Sequence, residues 1–167
     1  ATFVDGLRAH ALADWFGRLL AGTDRHRDAA PAFAGALAVL PDPMTDTALT
    51  DLAADFAAIY LTHSYRAAPN GSVWLTDDGL ERQLPMFEVR EWYDHYDISV
   101  PDWRKRADDH IVPELLFVAF LARRGDRVAA VDCARFLDQL VLSWAPDFLE
   151  RIETRAATPF YRATARL

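Results

Sequence analysis

Three observations predict an all-α fold, a single-domain helical bundle over residues 1–167. Glycine is scarce, with seven in 167 residues. The long segments repeat apolar residues three and four positions apart, which is the helical period. Hydrophobic and charged residues stand at 51% and 26%, ordinary globular values that supply a core and argue against a disordered chain. At this length, roughly 70% of the unfolded surface is buried on folding, so no disulfide or metal staple is needed.

The elements follow in order. The first helix is expected from about Asp5, a capping residue type, to Gly22, a stopping type. Leu7, Ala11, Trp15 and Leu19, with Leu12, Phe16 and Leu20, give it one wide apolar face. A short helix follows Pro31, since proline suits a first turn, and the run from Pro41 to Met44 breaks it. The next helix starts near Thr47 and carries Leu49, Leu52, Phe56, Ile59 and Tyr60.

Residues 62–84 are the one long irregular region, with turn chemistry at 67–72 and again at 76–79. Between these turns, Ser72 to Leu75 is apolar and aromatic but too short for a strand. A loop of this length is functional or disordered, and Trp74 with Leu75 argues for an anchored one. Helix returns at Pro85, with Val89, Trp92, Tyr93 and Tyr96 on one face, and 100–103 is a linker or cap.

The most apolar helix ends at Gly125. Pro113 is tolerated only in a first turn, which places the start at Asp108, Asp109 or His110. A helix from about Asp126 to Ser143 is expected to turn Val128, Val131, Phe136, Leu137 and Leu140 inward. A last pair covers about 146–156 and 159–166.

Composition excludes several classes. The net charge of −7 repels phosphate backbones, so a cationic peptide is a better partner than nucleic acid. One cysteine, Cys133, rules out an internal disulfide and any multi-cysteine metal site; its apolar setting fits a small buried hydrophobe. No apolar run reaches the roughly 20 residues of a membrane span, and no basic-then-apolar secretion signal opens the chain. Cytoplasm is the expected compartment.

The signatures of common chemistry are missing. There is no glycine-rich phosphate loop, no zinc-protease motif, no Glu-x-x-His pair and no serine elbow. Thr76-Asp77-Asp78-Gly79 lacks the alternating ligands of a calcium loop. His110 and Glu114, four apart, make half a metal site at most, and a helix cap or surface pair explains them as well. No cofactor and no metal are implied.

Two places stand out. Asp108, Asp109 and His110 precede the most apolar helix, where acidic residues also cap and favour the N-terminus electrostatically. The segment around Trp74 and Leu75 is the second, although a loop packed by its own aromatic ring accounts for it too.

Residues 108–121, DDHIVPELLFVAFL, resemble the signature helix of the TorD/DmsD/NarJ family of molybdoenzyme maturation chaperones, through Asp109, His110, Ile111, Glu114, Leu115, Phe117 and Leu121. DFAAIYL at 55–61, GSVWLTDDG at 71–79 and VREWYDHYDI at 89–98 are similar to further family segments. The ending from Trp144 to Leu167 is similar as well, with Pro146, Phe148, Thr158, Phe160 and Tyr161 in register. Asp108 stands where the family often has proline, and Pro69-Asn70-Gly71 where it often has Pro-Pro and an aromatic.

The resemblance implies a cytoplasmic chaperone, not an enzyme. Such a chaperone binds the twin-arginine signal peptide of a redox-enzyme precursor, with the apo-form of a molybdopterin oxidoreductase as its client. It assists cofactor insertion before export. A peptide of two arginines and an apolar stretch needs a carboxylate beside an apolar groove. Asp109 is expected to supply the carboxylate, with Asp108 nearby and His110 either orienting Asp109 or donating to a peptide carbonyl. Trp74, Leu75, Phe117 and Tyr65 are candidate groove walls, and Glu114 shares the helix face. The protein is expected as a monomer or a domain-exchanged dimer. The alternatives are a small helical enzyme using Asp109 and His110 as an acid–base pair, and a general helical adaptor.

Overall fold

The computed structural model describes residues 3–9, 14, 16, 18 and 28–167. Every regular element among them is helical. Of the expected first helix, Phe3–Ala9 is seen as α1, and Asp14, Phe16 and Arg18 are helical. Ala11, Leu12, Trp15, Leu19, Leu20 and Gly22 lie outside the described residues.

The chain divides into two compact units, residues 1–67 with 149–167, and residues 68–148. In the first unit, α2 (Ala29–Ala38) and α3 (Asp46–Phe56) follow α1. Thr45 caps α3, its hydroxyl accepting from Ala48 N at 3.3 Å. A wide π-type turn, Ala57–Leu61, extends α3. Such a turn inserts one residue and shifts the helical face. Ile59 is therefore in the core, whereas Leu49 and Phe56 are exposed. Phe33 and Phe160 centre a core that also holds Val4, Ala36, Leu37 and Ala163.

The second unit contains α4 (Gly71–Leu75), α5 (Leu84–His95), α6 (Ile111–Arg124) and α7 (Arg127–Phe136). Pro113 lies in the first turn of α6, and His110 is the N-cap. Gly125, with φ 70°, ends α6 in the left-handed region that glycine adopts without strain. Phe117 of α6 sits between Tyr93 and Phe136, with ring centroids 4.9 and 4.8 Å away, at the middle of this core.

Three expectations need correction. The segment 72–75 is part of a short helix, and the turn-like residues 67–72 are buried. Several of their backbone groups are paired, among them Pro69 O, Gly71 N and Ser72 N with residues at the start of α6. Val128 and Val131 face outward, because Ala129 and Phe136 carry the buried side of α7. No break separates 143 from 146: a second π-type turn, Leu137–Val141, leads directly into α8 (Leu142–Arg155), with Pro146 inside it. Proline removes one backbone hydrogen bond there. Buried Val141, Trp144, Ala145, Phe148 and Ile152 keep the segment helical despite that loss. The last helix, α9, is Pro159–Ala165.

The head of helix α6

The start of α6 is tied to the segment before α4. Asn70 and His110 form an isolated antiparallel bridge. Gly71 N donates to Asp109 O at 2.9 Å, and Ile111 N donates to Pro69 O at 2.8 Å. These bonds pair backbone groups of an irregular segment that runs through the interior.

Asp109 completes the tie. Its side chain is fully buried. Oδ2 accepts from Ser72 N at 2.6 Å and from Ser72 Oγ at 2.5 Å. The Ser72 hydroxyl also accepts from Gln83 N at 3.1 Å, so one carboxylate fixes both α4 and the approach to α5. Oδ1 of Asp109 has no hydrogen-bond partner.

Glu114, one turn into α6, is 1% exposed, and neither of its carboxyl oxygens has a partner. Burial, and then the neighbouring charge of Asp109, push its carboxyl up to about 8, so it is mostly protonated at neutral pH. The indole N–H of Trp144 pulls slightly the other way but falls short of hydrogen-bond geometry, and it too is unpartnered. A Cβ on Gly71 would lie 3.0 Å from Trp144 Nε1, so a side chain there would press the buried ring by a few tenths of an ångström, which glycine avoids.

Asp108 is buried and paired with Arg90, whose Nε lies 2.5 Å from Oδ2. The Tyr93 hydroxyl donates to Asp108 O at 3.1 Å. Burial, and after it the charges of Glu114, Asp108 and Asp109, hold the Tyr93 phenol far above its ordinary range. His110 rather than either aspartate caps α6, its Nδ1 accepting from Val112 N at 3.1 Å.

The predicted residues thus separate. Asp108, Asp109, His110 and Glu114 gather at the head of α6. Trp74 is half-buried, its indole donating to Ala68 O at 2.8 Å, and Leu75 is 39% exposed. Phe117 is a core residue, because its position on α6 points it between Tyr93 and Phe136. Tyr65 belongs to the other unit, where its hydroxyl donates to Asp55 at 2.7 Å. Ser72, Arg90, Tyr93 and Trp144 complete the polar cluster without having been singled out as site residues. The pair Arg90 and Tyr93, three apart on one helix, was the signal for two of them.

Exposed Val112, Leu115 and Leu116 form an apolar row along the outer side of α6. Among the described residues, no three His, Cys, Asp or Glu side chains are grouped as a metal site requires. No helix among them is long and apolar enough to cross a membrane.

A family model described as nitrate reductase delta subunit matches residues 9–150. The chain is 29% identical over 157 residues to the Chaperone protein TorD of Vibrio vulnificus (strain YJ016), covering 89% of this chain and 72% of that protein. It is 30% identical over 163 residues to the Chaperone protein TorD of Shewanella loihica, covering 94% and 74%. Against the Chaperone protein TorD of Vibrio cholerae (strain ATCC 39541 / Classical Ogawa 395 / O395), it is 32% identical over 126 residues, covering 70% and 57%.

Proposed function

The chain belongs to the TorD/NarJ family of molybdoenzyme maturation chaperones, not to an enzyme family, and from that premise we propose that it holds the twin-arginine signal peptide of a redox-enzyme precursor at the head of α6. It does so in the cytoplasm, on the apo-form of a molybdopterin oxidoreductase, while the cofactor is inserted before export.

One observation carries this reading. Asp108 and Asp109, with the protonated Glu114 one turn in, stand at one end of a helix whose outer side exposes Val112, Leu115 and Leu116. That order, carboxylates and then an apolar row, is complementary to arginines followed by an apolar stretch. His110, Trp74 and Leu75 contribute the accessible rim, and Asp109 acts from behind by fixing Ser72 and by its charge. Phe117 shapes the site from the core.

Calorimetric titration with a twin-arginine leader peptide tests the reading. Binding is expected for the leader and is expected to drop at least tenfold when both arginines become glutamine. Equal binding of the two peptides, or none of either, contradicts it.

A further inference from the structure

Beside the head of α6 lies a cavity of about 230 Å³, lined by Arg90, Tyr93, Asp94, Trp103 and Asp108 among others. Arg90 reaches Asp108 through Nε alone. Its terminal N–H groups donate to no protein acceptor among the described residues, although guanidinium carries five donors. Its Cζ lies 5.4 Å from the ring centroids of both Phe87 and Trp103. Asp108 is buried, yet the Arg90 side chain covering it is 32% exposed, and Phe87 and Trp103 are each about half exposed. Asp94, four residues along α5 from Arg90, lines the same cavity and makes no ion pair among the described residues. Among the lining residues, two carboxylates therefore stand against one guanidinium.

We propose that Asp108, with Phe87 and Trp103, forms a guanidinium site that the chain keeps filled with its own Arg90, and that an arginine of a bound peptide enters by displacing it. The inference rests on the proposed reading that the ligand is an arginine-bearing peptide. The resident group makes a one-point contact, whereas an incoming arginine approaching from the cavity has its planar fork free for two parallel bonds to the carboxylate. The two rings then stack on the incoming group as they do on Arg90. Asp94 attracts the cation on entry and pairs with the released Arg90. Arg104, 4.9 Å from the Trp103 ring, occupies that ring as well and limits the site to one further cation. Displacement makes binding selective, because lysine cannot replace the forked contact that repays the loss of Arg90.

The test is calorimetric titration of the twin-arginine leader into the wild type, Arg90→Gln and Arg90→Gln/Asp108→Asn. Arg90→Gln is expected to bind about tenfold more tightly than wild type, and the double variant to lose that gain. Equal or weaker binding by folded Arg90→Gln overturns the proposal. A second measurement needs no variant to fold for its binding readout: the Arg90 Nε–H resonance of the wild type should shift when the leader saturates the protein. A resonance that stays in place overturns the proposal as well. Methylguanidinium separates this inference from the proposed function. It should raise the melting temperature of Arg90→Gln but not of the double variant, whether or not any leader binds. No difference between the two contradicts the site itself.

Discussion

Two buried carboxylates, one in each compact unit, are handled in opposite ways. Asp55 in α3 is 1% exposed and accepts four hydrogen bonds, from Tyr65 Oη, Ala157 N, Thr158 N and Thr158 Oγ1. Burial pushes its carboxyl up, but the hydrogen bonds together outweigh burial and hold it below its ordinary value. Glu114 in α6 is as deeply buried and accepts none, and Asp109 beside it has one oxygen bare. A satisfied buried acid pins the turn between α8 and α9, and its role ends with the fold. Unsatisfied buried acids cost stability. At the head of α6 Glu114 avoids that cost in part by keeping its proton, and on the proposed reading Asp109, with one oxygen bare, supplies the negative charge for a cation from outside, a cost that packing elsewhere offsets.

The sharpest way to break this comparison is pH. Folding leaves Glu114 with a carboxyl value of about 8 against an ordinary 4.5. The native state keeps a proton that the unfolded chain loses, so its contribution to stability falls as pH rises between those two values. The full drop is on the order of 5 kcal/mol. Asp55 works in the other direction: its contribution is present above its ordinary 3.8 and is lost as pH falls through its lowered value. Denaturant unfolding across pH should show a decline above pH 4.5 that Glu114→Gln removes, and an acid decline that it leaves intact. Burial sets the Glu114 proton first, the Asp109 charge adds to it and the Trp144 indole opposes it, so Asp109→Asn should end the decline at a lower pH and make it shallower.

Removing the satisfied acid should hurt the fold and spare the binding. Asp55→Ala leaves four donors without their acceptor and should cost about 3 kcal/mol or more in denaturant unfolding. Leader affinity per folded molecule should be unchanged. A loss of affinity without a loss of stability would place client contacts in the wrong unit.

Asp109→Asn should do the reverse. The asparagine oxygen can still accept from Ser72, and its amide group occupies the place of the unpartnered oxygen, so the shape is retained while the charge is removed. Affinity for the leader should fall about 10- to 150-fold, and the difference should shrink with added salt. The smallest effect is expected at the rim. Trp74→Phe keeps a ring against Phe148 but loses the hydrogen bond to Ala68, costing about 1 kcal/mol of stability. Calorimetry should show a further fall of a few-fold in affinity.

Much of this was legible in the residues. Helical periodicity identified most of the long elements, and Pro113 alone located the start of α6 to within three residues of Ile111. The acidic pair and the histidine do gather in one place, the head of α6, together with Glu114. Periodicity failed where the period itself changes: the π-type turns at 57–61 and 137–141 leave no mark in composition, so the exposure of Phe56 and the continuity through Pro146 were not readable. The burial of 67–72 was hidden for a different reason. Pro, Asn and Gly there signal a surface turn, and only a partner 37 residues away, Asp109 for Ser72, shows why the segment is interior. Nonlocal pairing of this kind also concealed the Arg90–Asp108 contact, and it assigned Tyr65 to Asp55 rather than to the groove.

The two regions contain matched reporters. The amide of Ser72 donates to the buried carboxylate of Asp109, and the amides of Ala157 and Thr158 donate to that of Asp55. Hydrogen exchange at these amides, with and without a saturating twin-arginine leader, tests directly where the client binds. Exchange at Gly71, Ser72 and the first turn of α6 should slow on binding, while Ala157 and Thr158 stay unchanged. Protection confined to Ala157 and Thr158, or spread equally over both sets, would contradict a client site at the head of α6.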